Sequence, residues 1–265
     1  MKSILYNIYK SIIYKTIPNV LIVKKIFSNN FKICYNISQN LVFYPFSKIL
    51  NYEPTIHNNI INILTKNFGQ LKEKKLFVFD IGANIGQTAI FFKYLNINNK
   101  ILCIEPDIET FNMLTYNMKL NSFEDTQCLN FGVGDANTEI DFFRDSISGG
   151  RKGSFIEEFV GSSYIGKKTL VKIKTLDFLI SEYGKPDIIK IDVEGFESNV
   201  LKGLSDFEDL TFFIELREET STFIFDLFYN KFIIYKIDKK LTEEVNSVSQ
   251  INEFCNIICI PRKTK

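Results

Sequence analysis

The chain has 265 residues, 45% of them apolar and 24% charged, and its 32 lysines and arginines nearly balance 31 acids for a formal charge of +1. A single histidine, His57, excludes histidine-based zinc and iron centres, and five cysteines (34, 103, 128, 255, 259) without a CxxC spacing exclude a zinc ribbon or a paired disulfide framework. What remains is a folded domain with a large aromatic core, whose thiols suit a reducing compartment, taken as the cytoplasm.

The charge is unevenly placed. Residues 1–52 carry seven lysines and no acid, whereas residues 53–265 carry 25 bases against 31 acids. The chain therefore divides into a basic arm, 1–52, and an acidic body, 53–265. No apolar run reaches the ~20 residues of a membrane-spanning helix. The arm reads as short amphipathic helices that cap the body, touch the inner face of an anionic membrane through residues 1–50, or dimerise. His57 is expected on an amphipathic helix before the core, packed or exposed rather than catalytic.

From Leu76 onward strands and helices alternate. Strand Leu76–Ile81 leads into helix Gly86–Tyr94, and strand Ile101–Glu105 turns at Pro106 into helix Ile108–Leu120. Gln127–Val133 is a third strand, with Thr138–Phe143 as an extra strand beside it. A loop from Arg144 to Lys168 holds five of the 13 glycines and is placed to fold over a cleft as a lid, with Arg151 as its candidate for contacting an anionic group on a substrate. The sheet is expected to resume with Leu170–Lys174, helix Leu176–Tyr183, strand Ile188–Ile191, helix Phe196–Leu204, strand Thr211–Leu216 and a helix to about Phe228. Phe232–Ile237 and Asn256–Pro261 have no helix between them and are expected to pair antiparallel. Successive β-α units predict a parallel sheet with right-handed crossovers.

The first core strand ends in Asp80-Ile-Gly82-Ala83-Asn84-Ile-Gly86. A dinucleotide fingerprint would require glycine at 82, 84 and 87, and Asn84 and Gln87 break it. Asp80 would repel a pyrophosphate but pair with an amine. Glu105, at the end of the second strand, can accept hydrogen bonds from ribose hydroxyls. A nucleoside bearing an α-amino group and no phosphate fits these groups, and S-adenosylmethionine is such a ligand. The alternative for the pair is a tight turn and an acidic helix cap.

Four ordered motifs, Asp80-Ile-Gly-Ala-Asn-Ile-Gly86, Ile104-Glu-Pro106, Thr175-Leu-Asp177 and Ile189-Lys-Ile-Asp-Val-Glu-Gly-Phe-Glu197, together with Asn256-Ile-Ile-Cys-Ile-Pro261, resemble the FkbM family of S-adenosylmethionine-dependent methyltransferases. The resemblance covers about residues 53–262. It implies a class I methyltransferase, Rossmann-like fold with seven strands, the last antiparallel, here preceded by the helical arm, and transfer to oxygen, often a hydroxyl of a sugar or natural product. It also implies that Asp80, Gly82, Ala83, Asn84 and Gly86 line the methionine end and that Glu105 holds the ribose. Adenine is then placed against Pro106 and Asn130 to Gly132, or bonded by Asp135 of Gly134-Asp-Ala136.

Asp192 and Glu194 follow the fourth core strand, close to where a transferable methyl group would point. A hydroxyl is a weak nucleophile, and a carboxylate can take its proton as it attacks. Asp192 is the first candidate base and Glu194 the second; the rival roles are binding the acceptor hydroxyl and capping the next helix. The two acids could also hold a divalent metal with substrate oxygens, although the motif shows no third ligand. Lys190 is expected only to offset the acids, and Glu215 ends the next strand on the same edge as a substrate-site candidate. The acceptor expected is a glycan or small-molecule hydroxyl. The acidic body and the lack of an Asn-Pro-Pro-Tyr-like motif argue against nucleic acid, and the competing reading is a catalytically silent nucleoside-binding or partner-binding module.

Overall fold

The computed structural model describes residues 21–26, 31–36, 54–145, 153–160, 164–237 and 242–262. The arm differs from expectation in its described part. Residues Leu21–Ile26 (β1) and Phe31–Asn36 (β2) are antiparallel strands, not helices. The physical reason lies in Leu-Ile-Val-Lys-Lys-Ile and Phe-Lys-Ile-Cys-Tyr-Asn, which are rich in β-branched and aromatic residues. The rest of residues 1–52, and the division at 52/53, fall outside the described residues.

Helix α1 (Pro54–Phe68) precedes the alternating units β3 (Phe77–Ile81), α2 (Gln87–Leu95), β4 (Lys100–Ile104), α3 (Ile108–Leu120) and β5 (Thr126–Leu129). The expected third strand stops at Leu129. Its continuation, β6 (Gly132–Val133), leaves the main sheet and pairs with β8 (Tyr164–Lys174), which is antiparallel to β7 (Thr138–Asp145). Leu170–Lys174 therefore belongs to a separate three-stranded sheet, and β8 begins inside the stretch expected to be loop. Between β7 and β8 lies the short helix α4 (Glu157–Val160).

The chain continues through α5 (Leu176–Tyr183), β9 (Ile188–Ile191), α6 (Glu197–Lys202), β10 (Thr211–Leu216), α7 (Glu218–Phe228), β11 (Phe232–Ile237), β12 (Thr242–Glu244) and β13 (Cys255–Pro261). The main sheet has the order β12-β11-β13-β10-β9-β3-β4-β5. Strands β5, β4, β3, β9 and β10 are parallel, and β13 inserts antiparallel between β10 and β11. Seven of the eight strands reproduce the class I methyltransferase arrangement; β12 is an additional edge strand that the sequence reading did not anticipate.

The strand alternation sends Phe79, Ile81, Ile189, Ile191, Phe212 and Ile214 to one apolar layer and Val78, Ile101, Ile188, Phe213 and Ile258 to another. Ile33 of β2 joins the second layer. None of the five cysteines is in a disulfide. Because successive strands step outward from β3 on one side and from β9 on the other, the chain reverses direction across the sheet between these two, the switch point at whose carboxyl ends open α/β sheets bind ligands. Among the described residues, no helix is long and apolar enough to cross a membrane.

Candidate active site

The turn after β3 is held at nearly every peptide. Gly82 and Ala83 donate to the Ile104 carbonyl at 3.0 and 2.9 Å, Asn84 donates to Glu105 Oε2 at 2.9 Å, and Gly86 donates to the Ala83 carbonyl at 2.9 Å. Lys190 Nζ donates to the Gly82 carbonyl at 2.8 Å. Asn84 (φ +49°) and Gly86 (φ +93°) both adopt left-handed backbone, which turns the chain sharply before α2 begins. Gly82 is required for a further reason: a Cβ built on it would lie 1.8 Å from the Asp192 carbonyl oxygen, so the turns after β3 and β9 touch backbone to backbone.

Asp80 is fully buried beneath this turn. Lys190, its in-register neighbour on β9, lies 3.2 Å from Asp80 Oδ1 and 3.2 Å from Asp192 Oδ2. Neither Asp80 oxygen meets a well-aligned hydrogen-bond donor, so the Lys190 contact is an ionic one. Burial raises the Asp80 carboxyl above its ordinary range, with Lys190 opposing. Lys190 thus does more than offset charge, since it ties Asp80, Asp192 and the Gly82 carbonyl to one ammonium.

Glu105 is 5% exposed and accepts from the Asn84 and Asp107 amides, both at 2.9 Å. Burial raises it from 4.5 to about 8, against the pull of those amides. Asp107 caps α3, accepting from Glu109 and Thr110 at 3.0 and 2.9 Å. Asn130 is exposed and donates to the Glu105 and Pro106 carbonyls at 2.8 and 3.0 Å, fixing that corner. Gly132 is buried, and the Phe155 ring and Ile173 occupy the space where its side chain would be. Asp135 is exposed.

The acidic turn after β9 is built differently. Glu194 (φ +53°) and Gly195 (φ +98°) are left-handed, and a Cβ at Gly195 would press 2.5 Å from the Phe159 ring of α4. Ser154, fully buried, donates its hydroxyl to the Glu194 carbonyl at 2.8 Å. Glu197 accepts from the Gly195 amide at 2.8 Å, and burial raises it to about 7. Asp192, Glu194 and Glu215 each bring a carboxylate oxygen within 4.8 Å of the others, a spacing that could hold a cation. Glu215 is therefore the third carboxylate missing from the motif alone. Burial, then the nearby Asp192 charge, raise it to about 8.

Arg217 forms an ion pair with Glu194, and its guanidinium lies 5.3 Å from the Phe159 ring centroid and 5.6 Å from that of Phe254. The sequence reading passed over Arg217, Phe159 and Phe254, and gave Glu197 no role beyond closing its motif. For Arg217 a signal existed, since it stands two residues beyond Glu215 at the same strand end; Phe159 and Phe254 had none. Of the expected site residues, Asp80, Gly82, Ala83, Asn84, Gly86 and Glu105 surround one turn, and Asp192, Glu194 and Glu215 meet beside it. Arg151 lies outside the described residues. His57 stacks on Phe91 with centroids 4.6 Å apart, and burial lowers it to about 4.

Strand order and the two touching turns define a class I methyltransferase fold. Residues 80–244 match the Methyltransferase FkbM domain, and the chain belongs to that family. It is 29% identical over 146 residues to Methyltransferase 1 of Beauveria bassiana (strain ARSEF 2860), covering 49% of this chain and 59% of that protein. Hexuronic acid methyltransferase AglP of Haloferax volcanii is 28% identical over 132 residues, 48% of this chain and 49% of that protein. The chain thus spans about half to three-fifths of the length of these relatives. A crystal structure of Methyltransferase FkbM from Methylobacillus flagellatus KT superposes with TM-score 0.46 at 15% identity, covering 70% of this chain and 43% of that chain.

Proposed function

We propose that the chain is an S-adenosylmethionine-dependent methyltransferase that delivers a methyl group to oxygen, a hydroxyl of a glycan or glycosylated metabolite. The observation that carries this reading is the backbone contact between Gly82 and Asp192, which sets the glycine turn after β3 against a cluster of carboxylates. The residues present fit the cofactor: Asp80 has a buried carboxylate without an aligned donor at the end of the strand that leads into the glycine turn. Glu105 has acceptor capacity beyond its two amide bonds, suited to ribose hydroxyls.

When bound, the cofactor supplies an electrophilic methyl group on its sulfonium. Asp80 and the turn Gly82–Gly86 hold the methionine end, and Glu105 holds the ribose. Asp192 Oδ takes the proton of the acceptor hydroxyl, while Lys190 fixes the Asp192 carboxylate from behind. Glu215 and Glu194 accept from neighbouring hydroxyls, and Arg217 keeps Glu194 in place. Glu194 is paired with Arg217, whose guanidinium lies over the rings of Phe159 and Phe254; acids with aromatic surface nearby suit a sugar, which offers hydroxyls to the acids and C–H faces to the rings. The hexuronic acid methyltransferase among the relatives agrees with a carbohydrate acceptor.

The test is transfer of labelled methyl from S-adenosylmethionine to a panel of glycans, phenols and nucleic acids. Label in a base-stable ether of a sugar supports the reading; label only in nucleic acid, or in none, overturns it.

A further inference from the structure

The β1–β2 pair docks on α3 through two asparagines. Asn117, fully buried, accepts from the Cys34 amide at 2.6 Å and donates to the Cys34 carbonyl at 3.0 Å. Asn121, one turn later, accepts from the Lys32 amide at 2.7 Å and donates to the Lys32 carbonyl at 2.6 Å. A side-chain amide carries the same donor and acceptor as a peptide group, so each asparagine pairs with β2 as a strand residue would. The spacing matches as well: four helical residues advance about 6 Å, and two strand residues about 6.6 Å. Phe31 adds an apolar contact, its ring 5.4 Å from that of Phe123.

Helix α3 also reaches the turn after β3. Asn117 donates a second bond, 2.8 Å, to the Ile85 carbonyl. Ile85 sits between the left-handed residues Asn84 and Gly86. Beside it, Leu114 and Met118 fill the space at Gly86, where a Cβ would lie 2.5 Å from Met118 Cε. One amide group therefore joins the backbone of the arm to the backbone of the glycine turn. Without Cys34 to orient it, the Asn117 side chain loses two of its three bonds and regains its rotamer freedom.

We propose that Asn117 is a positioning residue through which the docked β1–β2 pair sets the cofactor turn, so that the arm is part of the methyl donor's binding site. This rests on the reading of the turn as an S-adenosylmethionine site. Coupling of this kind is reciprocal: docking of the arm tightens ligand binding at the turn, and ligand at the turn tightens docking of the arm.

Asn121 bonds the arm and, within α3, the Asn117 carbonyl at 2.8 Å, but not the turn, and it leaves the Asn117 side chain in place, so Asn121→Ala in the full chain is the discriminating variant. Hydrogen exchange should quicken at the Lys32 and Cys34 amides and also at residues 84–87, while the β9 amides keep their protection. Affinity for S-adenosylhomocysteine should fall about tenfold, within the usual range of such couplings. The KM for S-adenosylmethionine should rise with little change in kcat, a split that general loss of stability would not give. Asn117→Leu, which removes the Ile85 bond too, should have an effect at least as large. Unchanged exchange at Lys32 and Cys34 in Asn121→Ala overturns the docking, and a released arm with an unchanged turn overturns the coupling. If the wild-type chain binds no S-adenosylhomocysteine, the functional reading fails, but the exchange experiment still decides whether arm and turn are linked.

Discussion

The turn after β3 and the turn after β9 lie in contact yet are built from different materials. The first is fixed by backbone hydrogen bonds and by glycines whose missing side chains are filled by neighbours. The second has one such glycine, Gly195 against Phe159, and adds charged side chains: Lys190 on Asp192, Arg217 on Glu194, and Glu197 accepting from the Gly195 amide. A site that must hold one ligand closely is served by a rigid backbone cradle. Under the proposed function the second turn orients a hydroxyl and receives its proton, which needs ionisable side chains with partners that set their geometry.

The largest effect should come where the two turns touch. Gly82→Ala drives a Cβ to 1.8 Å from the Asp192 carbonyl oxygen, and should cost more than about 3 kcal/mol in chemical denaturation. Gly69→Ala is its control: its φ is also positive, at +79°, but nothing lies within 4 Å, so the cost should be only about 1–2 kcal/mol. Equal losses would mean that the close approach is not what constrains Gly82.

Next, Asp192→Asn separates the turns chemically. It should lower kcat by roughly 10²–10⁴ while S-adenosylhomocysteine affinity stays close to wild type. Lost affinity with retained turnover would reverse the assignment of the two turns. Arg217→Met should then act on the acceptor alone, raising its KM on the order of tenfold by freeing Glu194, with cofactor affinity unchanged.

The smallest effect is on stability against pH. Glu105 near 8 and Glu197 near 7 lie above the ordinary 4.5 for glutamate, so the folded chain keeps protons that the unfolded chain releases. Their stabilisation is complete below 4.5 and is lost as pH rises towards 8. The thermal midpoint should therefore fall by several degrees between about pH 5.5 and 8, and Glu105→Gln should flatten that slope. A midpoint that rises over this range would contradict the buried, proton-holding state of these acids.

Much of the first turn was legible in the sequence, because glycine at 82 and 86 and acids at strand ends are local signals of backbone conformation and ligand chemistry. The parallel strands followed from alternation, and β13 from the missing helix before it. What was not legible depended on long-range packing. Gly132 and Val133 looked like the end of β5, but the chain departs at Asn130, which turns to bond the Glu105 and Pro106 carbonyls. The arm read as helix because its lysines recur among apolar residues, yet β-branched residues and pairing across β1 and β2 prevail in its described part. Phe159 and Phe254 carry no signal of their own; only the fold brings their rings to Arg217.

Under the proposed function the turn after β3, with Glu105, holds the methyl donor while the acids after β9 act on the acceptor. Calorimetric titration of S-adenosylhomocysteine into wild type, Glu105→Ala and Asp192→Asn tests it most directly. Saturable one-to-one binding is expected in wild type and Asp192→Asn, and none in Glu105→Ala. Binding that survives Glu105→Ala unchanged, or that is absent from the wild-type chain, would contradict it.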